Sequence, residues 1–160
     1  MDAATWWLAA SVVFAGLWSG LMVLLTMVLH PMMREQDGPT FARQLAMFLP
    51  HARKAPVKYV CVIGLVAAPA GALAAMSAAG DRSTAFLLTA LGLTTYMIGP
   101  LLVSFVLAEP HHDRMLAWDP ERIPEGWQAD RSRYFAMNWT QAVLTWSGFG
   151  LFLAALIRRA

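Results

Sequence analysis

Hydrophobic and polar positions in this chain separate into long blocks instead of alternating at helix or strand spacing. Four stretches carry no charge: Ala3 to Leu29, Tyr59 to Gly80, Ser83 to Ala108 and Tyr134 to Ile157. A helix needs about 20 apolar residues to cross a bilayer core, and each block meets that length. The pattern predicts an all-α fold, a bundle of four transmembrane helices at about 3–29, 57–80, 83–108 and 132–157 forming a single integral membrane domain over 1–160. The first block has no basic leader, only Asp2 preceding it, and exceeds the ~7–15 residues of a signal-peptide core, so it is expected to remain as an anchor.

The segments between the blocks add detail. "REQDGPTFARQLAMFLPHARKAP" breaks at Gly38-Pro39, and Thr40 is the expected N-cap of a short amphipathic helix from Phe41 to Leu49. Phe41, Leu45 and Phe48 share its apolar face, which suits the membrane interface. Pro50 and Pro56 then bracket a basic turn, and Ser83 is a candidate N-cap for the third helix. Inside the helices, Gly16 and Gly20, and Gly64, Ala67, Ala68, Gly71, Ala74 and Ala75, predict faces that neighbouring helices approach closely. Contact between copies in a homo-oligomer is one use for such faces. Pro69 is expected to kink the second helix, and Gly99-Pro100 to distort the third and free carbonyls that line a cavity.

Composition agrees with the block pattern: 58% of residues are hydrophobic, 14% are charged, and mean hydropathy is +0.51. The basic residues are distributed unequally. Arg34, Arg43, Arg53, Lys54 and Lys58 follow the first helix, and Arg114, Arg122, Arg131 and Arg133 follow the third. The opposite side has only Arg82, Arg158 and Arg159. Nine against three predicts cytoplasmic long connections and outward termini in a bacterial inner membrane. A net charge of +2 distributed this way says little about nucleic acid, and the expected partner is the lipid bilayer, with no nucleic acid. Cys61, the single cysteine, excludes an internal disulfide.

Candidate chemistry collects on the basic side, where all four histidines fall: His30, His51, His111 and His112. Asn138, Gln141 and Thr145 lie at i, i+3 and i+7 on one face of the fourth helix, and Ser19, Thr26 and His30 form a stripe on the first. The bundle is expected to bring His30, Glu109, His112, Asn138 and Gln141 to one end. One reading makes this a site, with a carboxylate or imidazole as general base and amides orienting a planar substrate. The plainer reading makes Asn138 and Gln141 interhelical hydrogen-bonding groups in a non-enzymatic binding or assembly protein. A metal-binding protein is a further alternative, although adjacent His111 and His112 on a helix point about 100° apart and no HxxxH spacing occurs. Trp118 and Trp127 suit either the headgroup level or the cap of a pocket.

Three passages, "FAGLWSGLMVLLTMVLHPMM", "EPHHDRMLAWDPERIPEGW" and "RSRYFAMNWTQAV", together resemble the anthrone oxygenase-like family of small four-helix membrane proteins, and the likeness covers nearly the whole chain. Pro110 and Trp127 match the family pattern, and Asn138 fits a position that takes His or Asn. His112 stands where Asn is usual, and Gln141 replaces an Arg, exchanging a charged planar fork for a neutral amide. The resemblance implies oxygenation of an anthrone to an anthraquinone with molecular oxygen as co-substrate and no flavin, haem or other cofactor. It implies His112 or Glu109 as base, Asn138 and Gln141 orienting oxygens, and Trp127 or Trp139 against the ring plane; His30, His111 and Trp118, at the same end, complete the expected substrate-binding residues.

Overall fold

A computed structural model describes residues 2–159, and among them the chain is helical, without strands. Four helices are long and apolar enough to cross a membrane: α1 (Ala3–Arg34), α3 (Pro56–Ala78), α4 (Thr84–Leu116) and α5 (Trp127–Ile157). The shorter α2 (Gly38–Lys54) connects α1 to α3. The bundle is cyclic: α1 packs on α3 and α5, and α4 packs on the other side of the same two helices. The expected four-helix bundle with an intervening amphipathic helix is the observed architecture.

Three helix ends differ from expectation. α1 continues past residue 29 to Arg34, α4 passes 108 to Leu116, and α5 begins at Trp127 instead of near 132. Charge ends a hydrophobic block but does not end a helix, because Arg, Asp and His are tolerated in helical turns that leave the membrane. Prolines do not stop these helices either. α1 becomes π-helical over Leu24–Leu29 just before Pro31, and α4 does so over Met97–Ala108 around Pro100. A proline removes an i→i−4 donor and crowds the preceding turn, and the wider i→i+5 register lets the helix pass it. The distortion expected at Gly99-Pro100 is therefore present, whereas α3 runs unbroken past Pro69.

α2 is longer than the expected Phe41–Leu49, and it includes Pro50. Its cap is Asp37, whose Oδ1 accepts from the Thr40 backbone N–H at 2.9 Å, so Thr40 is the residue capped and not the cap. Ser83 holds the N-cap position of α4 without a side-chain hydrogen bond among the described residues. The buried face of α2 is Phe41, Ala42, Leu45 and Leu49, with Phe48 turned outward. It packs on Met33, Met115, Tyr134 and Phe135, closing the end of the bundle that carries both long connections, here called the basic end. Arg131 on the first turns of α5 donates to the Gln36 carbonyl at 2.9 Å, which satisfies a backbone acceptor just beyond α1.

The close approach of α1 to α3 is made by the glycines of α3. Phe14 fills the place of a Gly64 side chain and Trp7 that of Gly71. Of the Gly16 and Gly20 pair, Gly16 meets Phe149 of α5, whereas Gly20 has nothing within 4 Å among the described residues. At the opposite end of the bundle, Arg159 pairs with Asp2 at 2.6 Å and with Asp81. Hydrogen bonds from Thr5, then from Arg159, hold the Asp2 carboxyl well below the usual carboxylate range, and those from Ser83 and then Arg159 lower Asp81.

Two measurements check this packing. A methyl at position 64 collides with the Phe14 ring, so Gly64→Ala is expected to cost about 1–3 kcal/mol in denaturant titration, and Gly20→Ala to stay within about 0.5 kcal/mol of the parent. A carboxyl with a depressed folded-state pKa stabilises above its unfolded pKa and loses that contribution as pH falls through the folded value. Arg159→Ala should therefore lower the melting temperature at pH 7, and the difference should begin to shrink below about 3.9, the unfolded Asp value, and be lost only as pH falls through the depressed folded values.

Candidate functional site

Polar side chains that leave water for a helix bundle must find partners inside it. On α5 the buried stripe Tyr134, Asn138, Gln141 and Thr145 faces α1 and α4. At the basic end this stripe borders a cavity of about 290 Å³. Met22, Leu25 and Leu29 of α1 and Leu49 of α2 supply apolar wall, and Trp18, Ser104, His112, Tyr134, Asn138 and Gln141 supply the polar edge. Both π-helical segments border it, through Leu24, Leu25 and Leu29 on one side and Ser104 on the other.

The amides of the site are held from behind. Asn138 Nδ2 and His30 Nε2 lie 3.3 Å apart, both residues being buried; with the amide N–H donating, the His30 proton sits on Nδ1, which has no hydrogen-bond partner among the described residues. The His30 ring in turn stacks near Phe135, with centroids 4.4 Å apart. Ser104 Oγ donates to Gln141 Oε1 at 3.2 Å, which commits the Gln141 oxygen and leaves its NH₂ group as donor. Three buried polar atoms on residues lining the cavity have no hydrogen-bond partner among the described residues: Arg53 Nε, part of a guanidinium already ion-paired through its other nitrogens, and the pair Trp18 Nε1 and His112 Nε2. An unpartnered buried polar atom carries its full desolvation cost, so this pair distinguishes the cavity from an ordinary packing gap.

Ion pairs cap the cavity. Arg53 of α2 pairs with Glu109 at 2.5 Å and with Asp113 at 2.8 Å, and Lys58 of α3 stands 3.7 Å from Glu109. Partial burial disfavours the Arg53 charge, but the hydrogen bond to Asp113 and the charge of Glu109 prevail and raise its pKa. Glu109 is thus engaged by two cations, which occupy both of its carboxylate oxygens. His112, at i+3 from Glu109, is the base that the geometry leaves free.

The structure separates the expected site residues. Glu109, His112, Asn138 and Gln141 line one cavity, and His30 lies behind Asn138. His111, Trp118, Trp127 and Trp139 do not line it, which corrects the expectation that they bind substrate there. His111 Nε2–H donates to the Asp130 carbonyl at 2.9 Å, clipping α4 to α5, and its Nδ1 accepts at 2.8 Å from Arg114 of the same helix, which itself pairs with Asp130, so both ring nitrogens are occupied. Trp118 and Trp127 pack against Phe41, with centroids 6.4 and 6.1 Å away. Trp139 meets Trp146 edge to face at 5.9 Å. Among the described residues, no three His, Cys, Asp or Glu side chains converge as ligands of a metal.

Sequence reasoning missed Trp18, Ser104, Tyr134, Arg53 and Lys58. Trp18 and Ser104 sit inside apolar blocks, and the two cations were read only for orientation. At 3.6 residues per turn Ser104 and Glu109 are about 140° apart, whereas a π turn brings positions four and five apart onto one side. The polar spacing Tyr134, Asn138, Gln141 was the available signal for the tyrosine.

The two adjacent histidines give opposite expectations. His111→Ala should lower stability by about 1–3 kcal/mol, by stranding the Asp130 carbonyl and Arg114, without affecting ligand binding. His112→Ala should leave stability nearly unchanged and weaken binding, as measured by denaturant titration and ligand titration on the same preparations. Comparison of the chain with protein-family models, with curated proteins and with solved structures gave no match, so its function is read from its own residues and geometry.

Proposed function

We propose that the protein is a membrane-embedded oxygenase-like enzyme that takes a small planar phenolic compound of the anthrone type into this cavity, with His112 as general base. The observation that carries this reading is the buried, unpartnered His112 Nε2 at the polar edge of an otherwise apolar cavity. Imidazole is suited to proton transfer near neutral pH, and contributions of about 10²–10⁴ in rate are usual for such a group.

The chemistry needs no group beyond the chain and dioxygen. An anthrone is acidic at its central methylene because the resulting anion is delocalised over the ring system. His112 Nε2 takes one methylene proton, and the carbanion gives its electrons to dioxygen as a carbon–oxygen bond forms. Loss of the second methylene proton with cleavage of the oxygen–oxygen bond leaves a carbonyl, and one water forms, so that anthrone and O₂ become anthraquinone and H₂O. The amides of Asn138 and Gln141, fixed by His30 and Ser104, and the Trp18 indole N–H are donors for the oxygens that gain negative charge. The apolar wall keeps water from the anion.

The same reading places the basic end in the cytoplasm of a bacterial inner membrane, since nine of the twelve basic residues lie on that side. Oxygen uptake by purified protein supplied with an anthrone tests the assignment. His112→Ala is expected to lower the rate about 100-fold. Uptake unchanged in the His112→Ala, Asn138→Ala double variant would exclude it.

A further inference from the structure

We infer that the cavity is loaded sideways from the bilayer, through an opening between α1 and the corner joining α2 to α3, and that its ligand is a membrane-dissolved hydroxyaryl carbonyl compound. The inference rests on the site proposed above but not on oxygenation there.

Exposure of the lining residues locates the opening. Leu21 and Leu24 of α1 are 39% and 49% exposed, Phe48 of α2 is 36% exposed, and Val57 of α3 is 54% exposed. All four are apolar, and Leu21 and Leu24 lie within a charge-free block of α1, at the depth of lipid chains. The reason for a gap here is visible in the packing of α1 on α3. It runs from Trp7 on Gly71 through Phe14 on Gly64 to Cys61, which clusters with Trp18 and Met22. One turn further along α3, at Val57, the glycine and small-residue contacts have ended, and the cavity occupies the space between the helices.

The aqueous side is obstructed by contrast. Arg53, bonded to Glu109 and Asp113, bridges α2 to α4 across the cavity, and the Arg53 and Glu109 side chains are themselves only 29% and 28% exposed. A solute arriving from water must displace that ion pair, whereas one arriving from lipid meets only aliphatic and aromatic side chains. From the opening, Leu21, Met22, Leu25 and Trp18 follow one another at helical spacing on a single face of α1, which leads an apolar ligand to the Trp18 indole.

The unpartnered atoms select the ligand. Trp18 is 8% exposed, and its Nε1–H donates only, so it requires an acceptor such as a ring carbonyl. His112 Nε2, as an acceptor, is matched by a hydroxyl. At about 290 Å³ the cavity lies at the lower limit of the ~300–1,000 Å³ of small-molecule sites, which suits a fused-ring compound and excludes a two-chain phospholipid.

The test uses the whole protein in lipid nanodiscs with a dihydroxyanthraquinone as probe and quenching of tryptophan fluorescence, by stopped flow, as readout. Narrowing the opening with Leu24→Phe and Val57→Phe together, at positions that face lipid, should slow association about tenfold. Arg53→Ala, which removes the ionic cap, should leave the association rate as it was. Val57→Phe alone provides the same comparison if the double variant is poorly folded. An association rate unaffected by the phenylalanines but raised by Arg53→Ala would overturn lateral entry while leaving the site intact. The absence of saturable quenching in the parent protein would overturn the site and the route together.

Discussion

Hydrocarbon offers no hydrogen-bonding partner, and that constraint governs the rest of this structure. It keeps the backbone helical through four crossings, and α1 and α4 stay helical at Pro31 and Pro100 by shifting to π-helical register over Leu24–Leu29 and Met97–Ala108. Isolated hydroxyls turn back to carbonyls of their own helices, as Thr26 does to Met22 at 2.6 Å and Thr89 to Ala85 at 2.7 Å. Tyr96 reaches across to the Thr145 carbonyl at 2.9 Å. Ser19 Oγ, Thr145 Oγ1 and His30 Nδ1 are buried without a partner among the described residues, as are Trp18 Nε1 and His112 Nε2; what sets the last two apart is that their residues line one cavity.

The two ends of the bundle solve the packing problem differently. Toward the chain termini, aromatic rings from α1 fill the places left by glycines on α3, so the helices meet without a gap. At the basic end those contacts have ceased, and α2 lies across the bundle with Phe41, Leu45 and Leu49 buried against Met33, Met115 and Tyr134. The cavity is the space left between these two packing modes. Its polar edge comes from α1, α4 and α5, whereas its ionic cap needs Arg53 from α2 and Lys58 from α3, so every helix contributes to it.

Particular residues show how far the site was legible beforehand. Asn138 and Gln141 announced themselves as amides inside an apolar block, and Glu109 and His112 as ionisable groups at the edge of one. His111 and His112 are identical in type and adjacent in sequence, yet one is consumed by Asp130 and Arg114 while the other lines the cavity. That division depends on which neighbour each ring meets. Trp127 and Trp118 carried a substrate-binding expectation from their position and instead support Phe41. The ends of α1 and α4 were placed too early and the start of α5 too late, because hydropathy reports where lipid stops, while the backbone hydrogen-bond ladder continues into polar sequence.

The sequence by itself determined the helical class, the number of crossings and the end at which polar chemistry gathers, because partition between water and hydrocarbon depends on each residue's own transfer free energy summed along a block. Only the tertiary structure decided which polar atoms are spent on one another and which stay open, how Ser104 comes to hold Gln141, and where the bundle parts beside Leu24 and Val57. Those outcomes depend on helix register and on the meeting of side chains from different helices, quantities that no local property of the chain contains.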